Sequence, residues 1–196
     1  VLLTKDMTEL NSQKIYKSGI TRTFQRLRLA VGLSVFDNLV IGDTVDLNTS
    51  VLFNLLKRKA LRKQVDYQLN KVKNILKIFN PDLVNAIYEP ISKLTMIDRR
   101  RVEVCRALIS RPRVLLLDEP SAGMTSEETR EFMDDLLEIK KKTPRLGIIL
   151  IEHEMSVIQR VTDRCVVLNY GKKIAEGTYK AISCSRDVRV AYLGED

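Results

Sequence analysis

An α/β fold with a separate helical block is what this sequence predicts, and three observations carry the prediction. After Pro112, short β-branched or leucine runs alternate with helical patterns, as in a parallel sheet with crossover helices. Residues 35–109 carry helical signals instead. The 196 residues are 44% apolar and 30% charged, which suits one domain, or one plus a small subdomain, around a real core. That composition excludes a disordered tail and a collagen-like repeat.

Residues 1–25 are short and mixed and open on Val-Leu-Leu without an initiator Met, so they read as the middle of something. Ser34 is placed to cap a helix that starts near Val35, and polar residues 43–50 are the expected linker. A long helix follows: Leu61, Val65, Leu69, Val72, Leu76 and Phe79 recur at spacings of 4, 4, 3, 4 and 3, and Asn80-Pro81 breaks it. Between Lys57 and Lys77, eight basic residues stand against one acid, Asp66, so this segment holds +7 of the formal +8. Its basic face reads first as solvated surface, because aromatic residues that would stack on bases are scarce. Nucleic acid or anionic lipid is the alternative.

Residues 113–118 are expected to form a buried strand. Thr125-x-x-Glu128 is a capping box that opens a helix whose apolar face includes Phe132, Leu136 and Ile139, with Lys140, Lys141 and Lys142 at the end where the macrodipole favours cations. Residues 147–152 read as the next strand, and residues 165–176 as strand, Tyr170-Gly171 turn and strand.

The apolar runs 114–117 and 148–151 are far shorter than the roughly 18–20 residues of a membrane span. No basic start with an apolar h-region is present, so the cytosol is the expected compartment. Cys105, Cys165 and Cys184 form no CxxC, and His153 is the only histidine, so neither a zinc site nor a disulfide framework is expected.

Chemistry concentrates at three places. Val114-Leu115-Leu116-Leu117-Asp118-Glu119-Pro120 is a strand ending in two carboxylates, at the edge where parallel sheets bind ligands. An Asp there can hold a Mg²⁺ ion on nucleotide phosphates, and the following Glu can orient or deprotonate an attacking water. The ordinary reading of acids at a strand end is a cap or a turn. Ile148–Ile151 is followed by Glu152-His153, which brings an imidazole just past a second buried strand, where it can bond a phosphate oxygen or a water. Arg22-Thr23-Phe24-Gln25 places a Gln where the opening block meets the helical region, a position from which it can engage a metal-bound water on closure.

Taken together, these residues resemble the ATP-binding subunit of an ABC transporter, over essentially the whole chain. The resemblance implies a P-loop NTPase-like core with a helical subdomain. It makes residues 114–120 the Walker B strand with Glu119 catalytic, Ser121, Ala122 and Gly123 part of the D-loop, His153 the switch histidine, and Gln25 the Q-loop glutamine. Gln25 and Asp118 then position Mg²⁺. Residues 99–108 look like the helix that follows the signature motif. Arg22-Thr23-Phe24-Gln25, the basic insertion after Asn38-Leu39, Ile151-Glu152-His153-Glu154-Met155 and the Ala191-Tyr192-Leu193-Gly194-Glu195 ending look like branched-chain amino acid importers. The lipopolysaccharide-export ATPase is similar in its arginine-rich helix and tail but lacks the insertion.

Two departures stand out. No G-x-x-x-x-G-K-[ST] occurs in these 196 residues, and the resemblance places that phosphate loop upstream, so the chain is expected to be N-terminally incomplete and inactive alone. The signature Leu-Ser-Gly-Gly-Gln aligns with Leu94-Thr95-Met96-Ile97-Asp98, where Thr95 keeps a hydroxyl but both glycines are gone. A β-branched Ile97 is expected to obstruct a partner's γ-phosphate. The implied organisation is 1–25 as a core remnant ending in the Q-loop, 26–109 as the helical subdomain, 110–180 as the sheet core, and 181–196 as a tail. The resemblance implies ATP and Mg²⁺ as cofactors. It implies as partners a second ATP-binding subunit, identical or different, and transmembrane permease subunits, with no nucleic acid, at the cytoplasmic face of the membrane. A degenerate docking subunit that does not turn over ATP is the competing expectation.

Overall fold

The computed structural model describes residues 8–43 and 58–193, in two compact units that divide between Ile151 and Glu152. The first unit holds, in order, α1 (Ser12–Lys17), β1 (Ile20–Arg22), α2 (Val35–Ile41), α3 (Arg58–Phe79), α4 (Asp82–Asn85), a 3-10 turn at Ile91–Lys93, α5 (Met96–Leu108), β2 (Val114–Asp118), α6 (Ser126–Lys142) and β3 (Gly147–Ile151). The three strands make a parallel sheet in the order β1-β2-β3, with Ile20 opposite Val114 and Asp118 opposite Ile151. The β2-α6-β3 connection is the crossover that the alternating pattern predicts.

Helices α2, α3 and α5 pack on one another through fully buried Val35, Leu39, Val72, Leu76, Val102 and Cys105. The end of α2 meets α5 at Gly42, where a Cβ would sit 2.5 Å from the Arg106 carbonyl oxygen, so only glycine permits this approach. Ser34 forms a full capping box with Asp37 at the start of α2, as expected. The linker expectation fails at its first residue: Asp43 is completely buried, and its Oδ2 takes the Lys71 ammonium at 2.7 Å, because the end of α2 folds back on α3. Residues 44–50 lie outside the described part.

Arg101 joins α5 to α6. Its guanidinium donates to Asp135 Oδ2 (2.8 Å), Glu131 Oε1 (2.6 Å) and Asp98 Oδ1 (3.0 Å). Burial pushes its pKa down, but these three carboxylates outweigh burial and hold it above the ordinary arginine value. At the head of α6, Thr125 and Glu128 exchange both capping-box bonds, at 3.2 and 2.9 Å. Thr125→Ala is expected to destabilise the fold by about 1 kcal/mol, lowering the melting temperature by about 2–4 °C in a thermal melt.

β3 ends at Ile151 and is not buried throughout. Strand alternation leaves Ile149 and Ile151 exposed on one face, which corrects the expected buried strand.

The second unit contains α7 (Met155–Val161), the antiparallel pair β4 (Cys165–Asn169) and β5 (Lys172–Gly177), α8 (Tyr179–Ser183), α9 (Arg186–Val188) and a π-helical stretch at Arg189–Leu193. The hairpin turn has φ of +46° at Tyr170 and +76° at Gly171, the pair of left-handed residues that a type I′ turn needs. Cys165, Val167, Ile182 and Val188 form its core, with Met155, Ile158 and Tyr179 packed around them. Cys105, Cys165 and Cys184 are free thiols, and burial pushes the Cys105 thiol well up from its ordinary value. Among the described residues, no helix is long and apolar enough to cross a membrane.

Candidate functional site

The C-terminal end of β2 is where the sequence-derived residues converge. Gln25, carried on the loop after β1, donates through Nε2 to Glu119 Oε2 at 2.8 Å. Arg22, at the end of β1, donates to Asp118 Oδ2 at 2.6 Å. The parallel pairing of β1 and β2 brings these side chains together across 94 and 96 residues of chain. Glu119 has φ of +41°, in the left-handed region that L-residues avoid, while its N–H is held by the Ile151 carbonyl at 3.0 Å. Strain of this kind costs of order 1–3 kcal/mol and persists where the surroundings over-determine it, typically at functional sites. The turn continues through Ser121, Ala122 and Gly123, with Ala122 N–H donating to the Glu119 carbonyl at 3.1 Å.

The Gln25 loop is positioned by α5, which sequence reading identified as arginine-rich without finding this role. Buried Arg100 donates to the carbonyls of Phe24 (3.0 Å) and Gln25 (2.6 Å) and to Glu103 Oε2 (3.0 Å). Arg106 donates to the Arg28 carbonyl at 2.6 Å. Two guanidinium groups lie over the Phe24 ring, Arg22 at 5.2 Å and Arg28 at 4.0 Å from its centroid. The only sequence signal was the density of arginines on a helix that must also bury one face.

Leu94, Thr95, Met96, Ile97 and Asp98 lie on a different element, the start of α5. Thr95 is the N-cap: its hydroxyl accepts from the Asp98 N–H at 3.3 Å and donates to Asp98 Oδ2 at 2.9 Å. The Leu94 carbonyl accepts from Arg99 Nε at 3.0 Å. Ile97, from which an obstruction was expected, is turned inward at 6% exposure, whereas Met96 is 40% exposed. His153 belongs to the second unit, is 73% exposed, and has Nδ1 4.0 Å from Glu152 Oε2.

The donor set at the end of β2 suits magnesium. Mg²⁺ on phosphates takes one or two protein oxygens and keeps its waters. Asp118 supplies a carboxylate, and Gln25, bonded here through its nitrogen, has its amide oxygen as a second hard donor. The Arg22 ion pair on Asp118 is half-exposed, at 51% and 25%, and pairs of that kind contribute about 0–1 kcal/mol, so it yields readily to a divalent cation.

The family profile described as ABC transporter matches residues 1–122, and one described as branched-chain amino acid ATP-binding cassette transporter matches residues 172–196. The high-affinity branched-chain amino acid transport ATP-binding protein LivG of Salmonella typhimurium is 34% identical over 194 residues, 99% of this chain and 75% of that protein. BraF of Pseudomonas aeruginosa, with the same description, is 32% identical over 191 residues, covering 97% of this chain and 74% of that one. Among solved structures, MJ1267, an ATP-binding cassette of an ABC transporter in its ADP conformation, superposes with a TM-score of 0.76 at 26% identity, over 97% of this chain and 74% of that chain.

Proposed function

The chain belongs to the ABC transporter family of ATPase subunits, and from that premise we propose that it drives import of branched-chain amino acids by hydrolysing ATP against transmembrane permease subunits at the cytoplasmic face of the membrane. The observation that carries the reading is the Gln25–Glu119 hydrogen bond beside Asp118, at the end of a parallel strand where Glu119 is held in a strained backbone. Glu119 accepts the proton of the attacking water. Gln25 reports on the site through the loop that Arg100 holds. On this reading His153 is the switch histidine, and Ser121, Ala122 and Gly123 are the D-loop residues that face the second ATP-binding subunit. Bound Mg²⁺, held by Asp118 and Gln25, supplies charge neutralisation on the phosphates.

The test is Mg²⁺-dependent ATP hydrolysis by the natural subunit assembled with its permease subunits. Activity that rises with a branched-chain amino acid supports the proposal. No hydrolysis in the assembled complex, with co-purification that ignores nucleotide, would replace it with a non-hydrolytic docking subunit.

One observation favours a restricted form of that second reading. The α5 N-terminus is closed on itself, with the Thr95 hydroxyl engaged by Asp98 and a carboxylate sitting where a helix N-terminus would favour a phosphate. This chain therefore serves its partner's ATP poorly, which suits a heterodimer. Asp98→Gln removes the charge and is expected to raise turnover by the assembled complex up to about fivefold. Unchanged or reduced turnover sinks this part.

A further inference from the structure

The charge on α3 is distributed in a way that the site at β2 does not use. At 3.6 residues per turn, Arg58, Lys59, Arg62, Lys63, Lys73 and Lys77 fall within about 140° of arc, with Arg58 at the edge that buried Leu76 shares and the rest turned away from buried Gln68, Val72 and Phe79. Among the described residues none of the six has an ion-pair partner, and Asp66 is the one acid on the arc. Lys71, on the same helix but off the arc, pairs with Asp43, and Lys93, Lys141 and Lys173 pair with Glu89, Glu138 and Glu176. The row runs about 28 Å along the helix.

We propose that this face of α3 lies on an anionic lipid surface and takes the phosphodiester headgroups of a bilayer. The charge is complementary, and the cations lie in two clusters, residues 58–63 and 73–77, on one side of the helix. Exposed Val65 and Tyr67 flank the arc, as apolar and aromatic side chains flank the cations of an interfacial helix. The family to which the chain belongs transports solutes across membranes, so a bilayer is at hand. Nucleic acid is the poorer fit, because among the described residues Tyr67 is the one aromatic ring beside the arc, and a single ring cannot stack successive bases.

The natural full-length protein, without nucleotide, is sedimented with vesicles of phosphatidylglycerol and phosphatidylcholine, and with phosphatidylcholine alone. Binding is expected only to the anionic vesicles, falling steeply with salt and surviving excess inorganic phosphate. Each basic residue near such a surface contributes about a fivefold factor, so Arg62→Gln with Lys63→Gln lowers partitioning about 25-fold, as does Lys73→Gln with Lys77→Gln. Arg62, Lys63 and Lys77 are exposed and Lys73 is half-buried without an ion pair, so folding is retained, while Lys172→Gln on β5 leaves binding unchanged. Equal binding to both vesicles, no binding, or variants that bind like wild type overturn the proposal. Tighter binding to a duplex oligonucleotide at the same salt overturns it in favour of nucleic acid. Because the readout needs no ATP turnover, its failure is separate from failure of the ATPase reading.

Discussion

Glu119→Gln is expected to cut Mg²⁺-dependent ATP turnover by the assembled subunit at least about 100-fold, with little change in nucleotide affinity. The substitution keeps the shape of the side chain and an acceptor for the Gln25 Nε2 donor, 2.8 Å away in the native protein, so the loop geometry is retained. What it removes is the basic oxygen. A general base contributes about 10²–10⁴-fold, which at about 1.4 kcal/mol per decade is roughly 3 to 5 kcal/mol of barrier. A thermal melt within about 1 kcal/mol of wild type shows that the loss is chemical and not structural. Wild-type turnover in the variant would remove Glu119 from the mechanism and leave its left-handed backbone as a feature of the turn alone.

Arg100→Ala has the largest expected effect on stability. The guanidinium and the Glu103 carboxylate are both buried, and the same group holds the carbonyls of Phe24 and Gln25. Truncation strands Glu103 in the interior and orphans two carbonyls. Breaking one partner of a buried pair costs about 3–5 kcal/mol, or a melting temperature lower by roughly 10 °C for a chain of this size. Arg100→Lys recovers part of the loss, since one ammonium cannot reach three acceptors as the planar fork does. Replacing Arg100 and Glu103 together with Met costs less than Arg100→Ala, because no charge is left unpaired. A melt of Arg100→Ala indistinguishable from wild type would show that the Gln25 loop is held by other contacts.

How much was legible depended on chain distance. The Ser34 and Thr125 caps, the β2 strand, the Tyr170-Gly171 turn and the long basic helix were all readable, because each is set by residues within a few positions of one another. The candidate site was readable as residue types, namely Asp118, Glu119 and Gln25. Their mutual bonds were not, nor was the Arg22 pair on Asp118 or the Arg100 clamp, which joins residues 75 and 76 positions apart. Asp43 shows the limit most plainly: in a polar stretch it reads as linker, and only its position against α3 makes it a buried ion-pair partner. Ile97 is similar, since its identity signalled obstruction whereas the winding of α5 turns it into the core.

By itself, then, the amino-acid order determined α2, α3, α6, β2, β3 and the β4–β5 hairpin, the order of the motifs and the family they resemble, because helix caps, turns and hydrophobic periods arise from interactions between near neighbours. α1, β1, α7 and α8 were not legible from that order. Tertiary structure alone decided which charged groups meet and where a side chain leaves its periodic face, as Val65 does, exposed although it belongs to the apolar stripe of α3. Those outcomes require closing loops of tens of residues, an entropic cost that only the packed core and the parallel sheet together offset.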